Sequence, residues 1–214
     1  MSIYRDRIEA GKKLAAHLTE FERRDNLIVL ALPRGGVPVA YEVARALDVP
    51  MDVFVVRKLG MPGHQEFAMG AIASGGIRVI NEAVVHEAGI TEKEIDAAAA
   101  QEQLELERRE RLYRGDRPRM NLREHTVMVV DDGMATGSTM HAAVLALRRL
   151  KPSEIIVAVP VAPVEACAEL KQSADRVICL NTPAFFRAVG QWYDDFSQTT
   201  DAEVLAYMDK AAKN

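Results

Sequence analysis

Apolar residues along the chain fall into two patterns. Nearly continuous apolar runs occupy residues 27–32 (LIVLAL), 51–57 (MDVFVVR), 126–130 (TVMVV), 155–160 (IIVAVP) and 176–180 (RVICL). Short runs without alternation suit strands covered on both faces. Between them, apolar residues recur at helical spacing. Residues 3–24 place Ile3, Ile8, Leu14, Leu18 and Phe21 roughly on one stripe among charges, which predicts a helix. Further helices are predicted over 37–47, 138–150 and 164–172. Residues 68–73 and 77–80 predict a hairpin around Ser74-Gly75-Gly76. Residues 91–114 predict a long helix, with Thr91 and Glu94 spaced as a capping box. Its apolar stripe is thin: Ile95, Ala98, Leu106, Leu112 and Tyr113. Either it is a solvated surface helix or it presents a dimer contact.

Alternating apolar strands and helices predict an α/β fold, a central parallel β-sheet flanked by helices. In such sheets ligands sit beyond the carboxyl ends of the strands. That rule points to the loops beginning at Pro33, Lys58, Asp131 and Val161. A single domain over 1–214 is expected, with a helical insertion at about 86–118 and a small C-terminal hood at about 181–205.

Composition narrows the partners. The 214 residues are 49% hydrophobic and 27% charged, with a formal net charge of -4. No strongly basic surface is implied, so nucleic acid is not an expected partner. Cys167 and Cys179 have no metal or disulfide-framework spacing and are expected to be buried small hydrophobes. The first fifteen residues are charged and lack an apolar core, which argues against a secretory signal. The longest mostly apolar stretch, 155–164, holds two prolines and is too short to span a bilayer. A cytoplasmic protein with no membrane partner is the expectation.

The chemistry concentrates in residues 127–140, VMVVDDGMATGSTM. A buried strand runs into Asp131 and Asp132, then into small and hydroxyl residues, then into a helix near Ser138. Helix N-termini carry free backbone N–H groups and favour phosphate. Small residues let the backbone close around an anion, and Thr136, Ser138 and Thr139 add donors. A triphosphate loop would need a lysine before Ser138 or Thr139, and a dinucleotide loop would need GxGxxG; both are absent. Two adjacent carboxylates repel each other and any phosphate beside them. A ligand with vicinal hydroxyls next to a monophosphate explains the arrangement, and ribose 5-phosphate has that shape.

VVDDGMATGST resembles the phosphoribosyl pyrophosphate (PRPP) motif of type I phosphoribosyltransferases. Further segments are similar to that family in order over about residues 25–195. LPRGGVP (32–38) resembles its pyrophosphate loop, with Arg34, Gly35 and Gly36 as phosphate contacts and a non-proline cis peptide expected at Arg34–Gly35. VRKLG (56–60) resembles the start of its flexible loop. Arg57 and Lys58 would then face pyrophosphate, and 59–67 would form a mobile lid with His64 and Glu66 as weaker candidates. The combination is similar to a bacterial branch whose members carry only a provisional assignment as phosphoribosyltransferases.

The resemblance implies transfer of ribose 5-phosphate from PRPP to a nitrogenous acceptor, a nucleobase in the first instance, with release of pyrophosphate. It implies Mg²⁺ near Asp131 and Asp132, though no direct protein ligand is singled out, and by family habit a homodimer. Asp131 and Asp132 would hold the ribose hydroxyls, Ala135, Thr136, Gly137, Ser138 and Thr139 the 5-phosphate, and Arg34 and Lys58 the departing pyrophosphate. The partners are small molecules: PRPP and an unidentified acceptor.

Two departures qualify the resemblance. Members acting on 6-oxopurines usually carry an aspartate where this chain has Ala135, so the loop offers no general base. The hood sequence FFRAVGQWYDDF (185–196) resembles that of purine salvage enzymes with spacing shifted by one. Phe186, Trp192 and Tyr193 could stack on an acceptor, with Phe185 beside them and Asp194 meeting a ring N–H. Equally, these aromatics could close a small core. The alternative function is a non-catalytic sensor of PRPP or nucleotides on the same fold.

Overall fold

The computed structural model describes residues 2–213; the side chains of residues 65 and 66 lie outside that description, and with them the lid candidate Glu66. Five parallel strands form the central sheet in the order β2-β1-β6-β7-β8: β1 Leu27–Ala31, β2 Met51–Val53, β6 Thr126–Val130, β7 Glu154–Val161 and β8 Arg176–Asn181. A second sheet is antiparallel: β3 Val56–Met61, β4 His64–Ala73 and β5 Ile77–Ile80.

Helices cover both faces of the central sheet. Strand residues alternate between them, because successive side chains point to opposite sides. Val29, Ala31, Met128, Val130, Ile156 and Ala158 pack with α1 (Arg7–Ala15), α2 (Gly36–Leu47), α4 (Glu92–Arg114) and α7 (Asp201–Ala211). Ile28, Leu30, Val127, Val129, Ile155 and Val157 pack with α5 (Ser138–Arg149) and α6 (Val164–Leu170). Cys167 belongs to this second core; both cysteines are free thiols. Among the described residues, no helix is long and apolar enough to cross a membrane.

Three expectations need correction. The helix predicted over 3–24 begins only at Arg7, where the Asp6 side chain accepts from the Glu9 N–H at 2.7 Å. Residues 3–5 are drawn to the hood instead: the Ile3 and Tyr4 N–H groups donate to the Trp192 carbonyl at 2.9 and 3.0 Å. The strand predicted over 51–57 is two strands in different sheets. It breaks where the Phe54 N–H turns to the Ala31 carbonyl and the Val55 N–H to Ser74 Oγ, both at 2.9 Å. The lid expected at 59–67 is the tip of the β3–β4 hairpin, turning at Pro62-Gly63, with Gly63 at φ +75°.

Helix α3 (Glu82–Ala88) and helix α7 were not foreseen. Helix α4 has the predicted capping box. Its stripe is used within the chain: Ile95, Leu106 and Tyr113 are buried, and Ala98 and Leu112 pack against the same core. Arg114 near its end is buried too, paired with Asp52 at 2.9 Å and Glu110 at 3.5 Å.

Candidate functional site

The β6–α5 loop is anchored at both ends and open in the middle. Met134 is buried and its N–H donates to the Val161 carbonyl at 3.0 Å, which ties the loop to β7. Gly137 is buried at φ +71°, a left-handed conformation that glycine adopts without strain, and α5 starts at the next residue. Ala135, Thr136, Ser138 and Thr139 between and beyond these anchors are exposed. Thr136 Oγ1 lies 3.2 Å from Ser138 Oγ and 3.4 Å from the Ser138 N–H. The result is a shallow ring of hydroxyls at the N-terminus of a twelve-residue helix, where free N–H groups and the helix dipole favour an anion.

The two acids before this ring are not equivalent. Asp132 turns inward. Its Oδ2 accepts from Arg7 Nε at 2.8 Å, with both side chains nearly nine-tenths buried. Arg7 is fixed in turn by the Ser197 carbonyl at 2.7 Å and by the Phe196 ring, 4.0 Å from its guanidinium carbon. Asp131 is half-buried, and its Oδ1 accepts from the Asp132 N–H at 2.8 Å. Burial, then the neighbouring Asp132 charge, pushes the Asp131 carboxyl well above the usual carboxylate range. Burial raises Asp132 as well, against the pull of the Arg7 guanidinium.

The loop after β1 packs on these acids. A Cβ on Gly35 would fall 2.1 Å from Asp132 Oδ2, and one on Gly36 2.8 Å from the Val130 carbonyl oxygen. Both glycines therefore make room for the acidic loop, a closer constraint than the phosphate approach inferred from sequence. The cis peptide of this loop lies at Pro33–Arg34, one bond before the expected Arg34–Gly35. The Arg34 side chain reaches helix α7, with Nη1 3.6 Å from Asp201 Oδ1.

Strand alternation separates the two basic residues of β3. Lys58 points to the ring of hydroxyls, with Nζ 3.4 Å from Ser138 Oγ. Arg57 points the other way and pairs with Glu102 of α4, Nε to Oε2 at 2.6 Å. Arg57 is thus engaged with α4, on the opposite side of the strand from Lys58.

In the hood, sequence neighbours again part company. Tyr193 is buried; its hydroxyl donates to the Asp132 carbonyl, and its ring packs between Tyr4 and Phe196, with centroids at 5.3 and 5.1 Å. Burial pushes that hydroxyl up, so it stays a donor. Asp194 accepts from the Ser2 hydroxyl, and its N–H donates to the Tyr4 carbonyl at 2.9 Å. Tyr193 is thus packed into the hood, whereas Asp194 stays exposed with one carboxylate oxygen engaged by the N-terminal segment. Phe186 and Trp192 remain together, with centroids 5.9 Å apart, and Phe185 is 89% exposed.

Arg7, Glu102 and Asp201 have no place in the sequence analysis, and Tyr113 enters it only as part of the apolar stripe of α4. Local pattern gave no sign of Arg7, whose partner lies 125 positions away. Asp201 carried a faint one: Thr200 and Glu203 form a capping box, so Asp201 opens a helix.

Comparison with known proteins accords with this geometry. The family model described as phosphoribosyl transferase domain matches residues 4–196. Two Mycobacterium tuberculosis proteins, “Putative phosphoribosyl transferase MT0597” and “Putative phosphoribosyl transferase Rv0571c”, are each 44% identical over all 214 residues. Those residues cover 48% of each relative, so the chain spans about half the length of the relatives it matches. The crystal structure of TT1426 from Thermus thermophilus is 40% identical, superposes with a TM-score of 0.88, and aligns 98% of this chain with 99% of its own. From the shared motif to the shared fold, the chain belongs to the phosphoribosyl transferase domain family.

Proposed function

We propose that this chain transfers ribose 5-phosphate from PRPP to a nitrogenous acceptor, a nucleobase in the reading favoured here, and releases pyrophosphate. The carrying observation is the junction of three elements: the half-buried Asp131 carboxylate, the exposed hydroxyls opening α5, and Lys58 Nζ 3.4 Å from Ser138 Oγ. Residues 1–214 would act as one domain, with α3 and α4 as its insertion and the segment after β8 as its hood.

In this reading the 5-phosphate sits on the N–H groups and hydroxyls from Ala135 to Thr139. Asp131, whose proton burial retains in the chain alone, ionises as a cation and the developing positive charge at the anomeric carbon come near, and accepts from a ribose hydroxyl. Asp132 braces Asp131 through its N–H while its own charge is offset by Arg7. Arg34 and Lys58 attract the pyrophosphate, whose bond to the anomeric carbon breaks with the electron pair leaving on oxygen. The acceptor nitrogen's lone pair makes the new bond, and its proton passes to solvent, since Ala135 offers no base. Holding the sugar at both ends is catalysis by position.

No group of three or more His, Cys, Asp or Glu residues able to hold a metal occurs among the described residues. The donors at hand are the carboxylate oxygens of Asp131 and Asp132, the latter already paired with Arg7. That set fits a hard cation carried in by the substrate, ligated mostly by phosphate, hydroxyl and water oxygens. Mg²⁺ held near these residues would supply neutralisation of the pyrophosphate charge.

A second reading, a PRPP or nucleotide sensor, is favoured by one pair of observations: Ala135 carries no base, and Asp194 is engaged with Ser2. Pyrophosphate release from PRPP and Mg²⁺, measured against a panel of nucleobases, separates the two. Acceptor-dependent release supports the transferase. Calorimetric binding of PRPP with no release for any acceptor supports the sensor, and no PRPP binding overturns both.

A further inference from the structure

The loop after β1 and the N-terminus of α7 meet at one carboxylate. Asp201 Oδ1 accepts from the Tyr113 hydroxyl at 2.6 Å and lies 3.6 Å from Arg34 Nη1; its Oδ2 lies 3.9 Å from Arg108 Nη1. Three parts of the chain converge there: the loop proposed for pyrophosphate, the insertion helix α4 and the hood-side helix α7. We infer that Asp201 is the positioning residue for Arg34, holding its guanidinium toward the departing pyrophosphate. The inference rests on the pyrophosphate role given to Arg34 above.

Arg34 needs such a partner. Its neighbours Pro33, Gly35 and Gly36 carry no side-chain acceptor, and a free arginine samples many rotamers at an entropic cost to any ligand that must order it. Asp201 is well placed to supply a fixed charge. It is the first residue of α7, where the helix dipole favours a carboxylate. The donor that aims it is itself fixed, because the Tyr113 side chain is buried in the core. Burial and the hydrogen bond to Asp201 push the Tyr113 hydroxyl up to about 12, which keeps it a donor over the physiological range. The ion pair runs through Nη1 at a loose 3.6 Å, and a guanidinium carries further donors for phosphate oxygens. Asp201 thus orients the arginine without consuming it.

The test is a double-mutant cycle read by calorimetry with inorganic pyrophosphate and Mg²⁺, with ribose 5-phosphate as control ligand. Asp201→Asn is expected to weaken pyrophosphate about tenfold, the scale of one charge-assisted contact, and to leave ribose 5-phosphate within about twofold. Tyr113→Phe shifts pyrophosphate in the same direction by less, and Asp201→Glu restores part of the loss. In an Arg34→Ala background, Asp201→Asn adds nothing further, because a residue acting only through Arg34 has nothing left to position. Equal losses with and without Arg34, or unchanged pyrophosphate affinity in Asp201→Asn, overturn the inference and leave the role of Arg34 standing. Unchanged affinity in Arg34→Ala overturns the role of Arg34, and the positioning role falls with it. Thermal melts of each variant identify a loss that comes from unfolding, and such a loss counts against positioning.

Discussion

The β6–α5 loop and the hood use much the same alphabet of acids, small residues and hydroxyls, and in sequence both look ready for a ligand. In the folded chain they differ in where their polar groups go. Residues 135–139 keep Thr136, Ser138 and Thr139 exposed, with only loose bonds among themselves and to Lys58. Residues 192–195 give most of their polar groups to the rest of the chain: the Trp192 carbonyl and Asp194 bond to residues 2–4, Asp195 N–H to the Arg5 carbonyl, and Tyr193 to Asp132, while the buried Trp192 indole N–H has no partner among the described residues. A ligand-facing loop is thus marked less by its residue types than by polar groups the protein itself leaves unspent. Asp132 is where the two regions join, through its carbonyl to Tyr193 and through its carboxylate to Arg7.

The largest test of that contrast breaks the joint. Asp132→Ala strands the buried Arg7 guanidinium, a loss expected to cost about 3 kcal/mol of folding stability. Asp131→Asn is expected to leave stability nearly unchanged and to lower turnover; urea unfolding of the two variants should separate them clearly. If both lose the same stability, the two acids are equivalent and the contrast fails. Gly35→Ala comes next. Its Cβ would displace Asp132 Oδ2 from 2.1 Å, and misplacing the acidic loop by an ångström is expected to cut kcat/KM about a hundredfold.

A matched pair of smaller changes compares the regions directly. Thr136→Val removes an exposed hydroxyl and should weaken ribose 5-phosphate severalfold with no change in melting temperature. Tyr193→Phe removes a buried one and should cost about 1 kcal/mol of stability while ribose 5-phosphate affinity holds. The reverse outcome in calorimetry and thermal melts would exchange the roles assigned here.

The smallest effect is one of pH. Tyr113 has a folded value of about 12, raised from the 10.0 of a free tyrosine. Its stabilising contribution is therefore fully present below pH 10 and is lost as pH rises through 12. The stability difference between wild type and Tyr113→Phe, followed by urea midpoints, should shrink between about pH 9 and about pH 11.5. A constant difference would remove the hydroxyl from the energetics of α7 docking.

Legibility in the sequence followed the range of the forces involved. Strands β1, β6 and β7 were readable because burial on both faces leaves apolar runs, and β8, half-buried at the sheet edge, keeps enough of one to be read. The loop from Asp131 to Thr139 was readable because its chemistry lies within nine consecutive residues. The break between β2 and β3 was not, since residues 53–56 are continuously apolar and the chain turns only where Phe54 and Val55 find partners at Ala31 and Ser74. The opposite facing of Arg57 and Lys58 follows from strand alternation once β3 is placed, whereas the sequence ends the strand at Arg57 and begins a loop at Lys58. Arg7 was illegible, and Asp201 legible only as the first residue of a capped helix, because each acts on a residue more than a hundred positions away.

The bridge between Tyr4 and Tyr193 also sets an order of assembly. Contacts between distant residues form late, because the closure entropy of the intervening chain must first be overcome. During synthesis β1 and β6 can pair, and α5 can seat beneath its loop, well before residue 193 leaves the ribosome. Residues 3–5 must wait through that interval with their N–H groups unpaired. The hood can therefore close on the N-terminal segment only after the β6–α5 loop has been made.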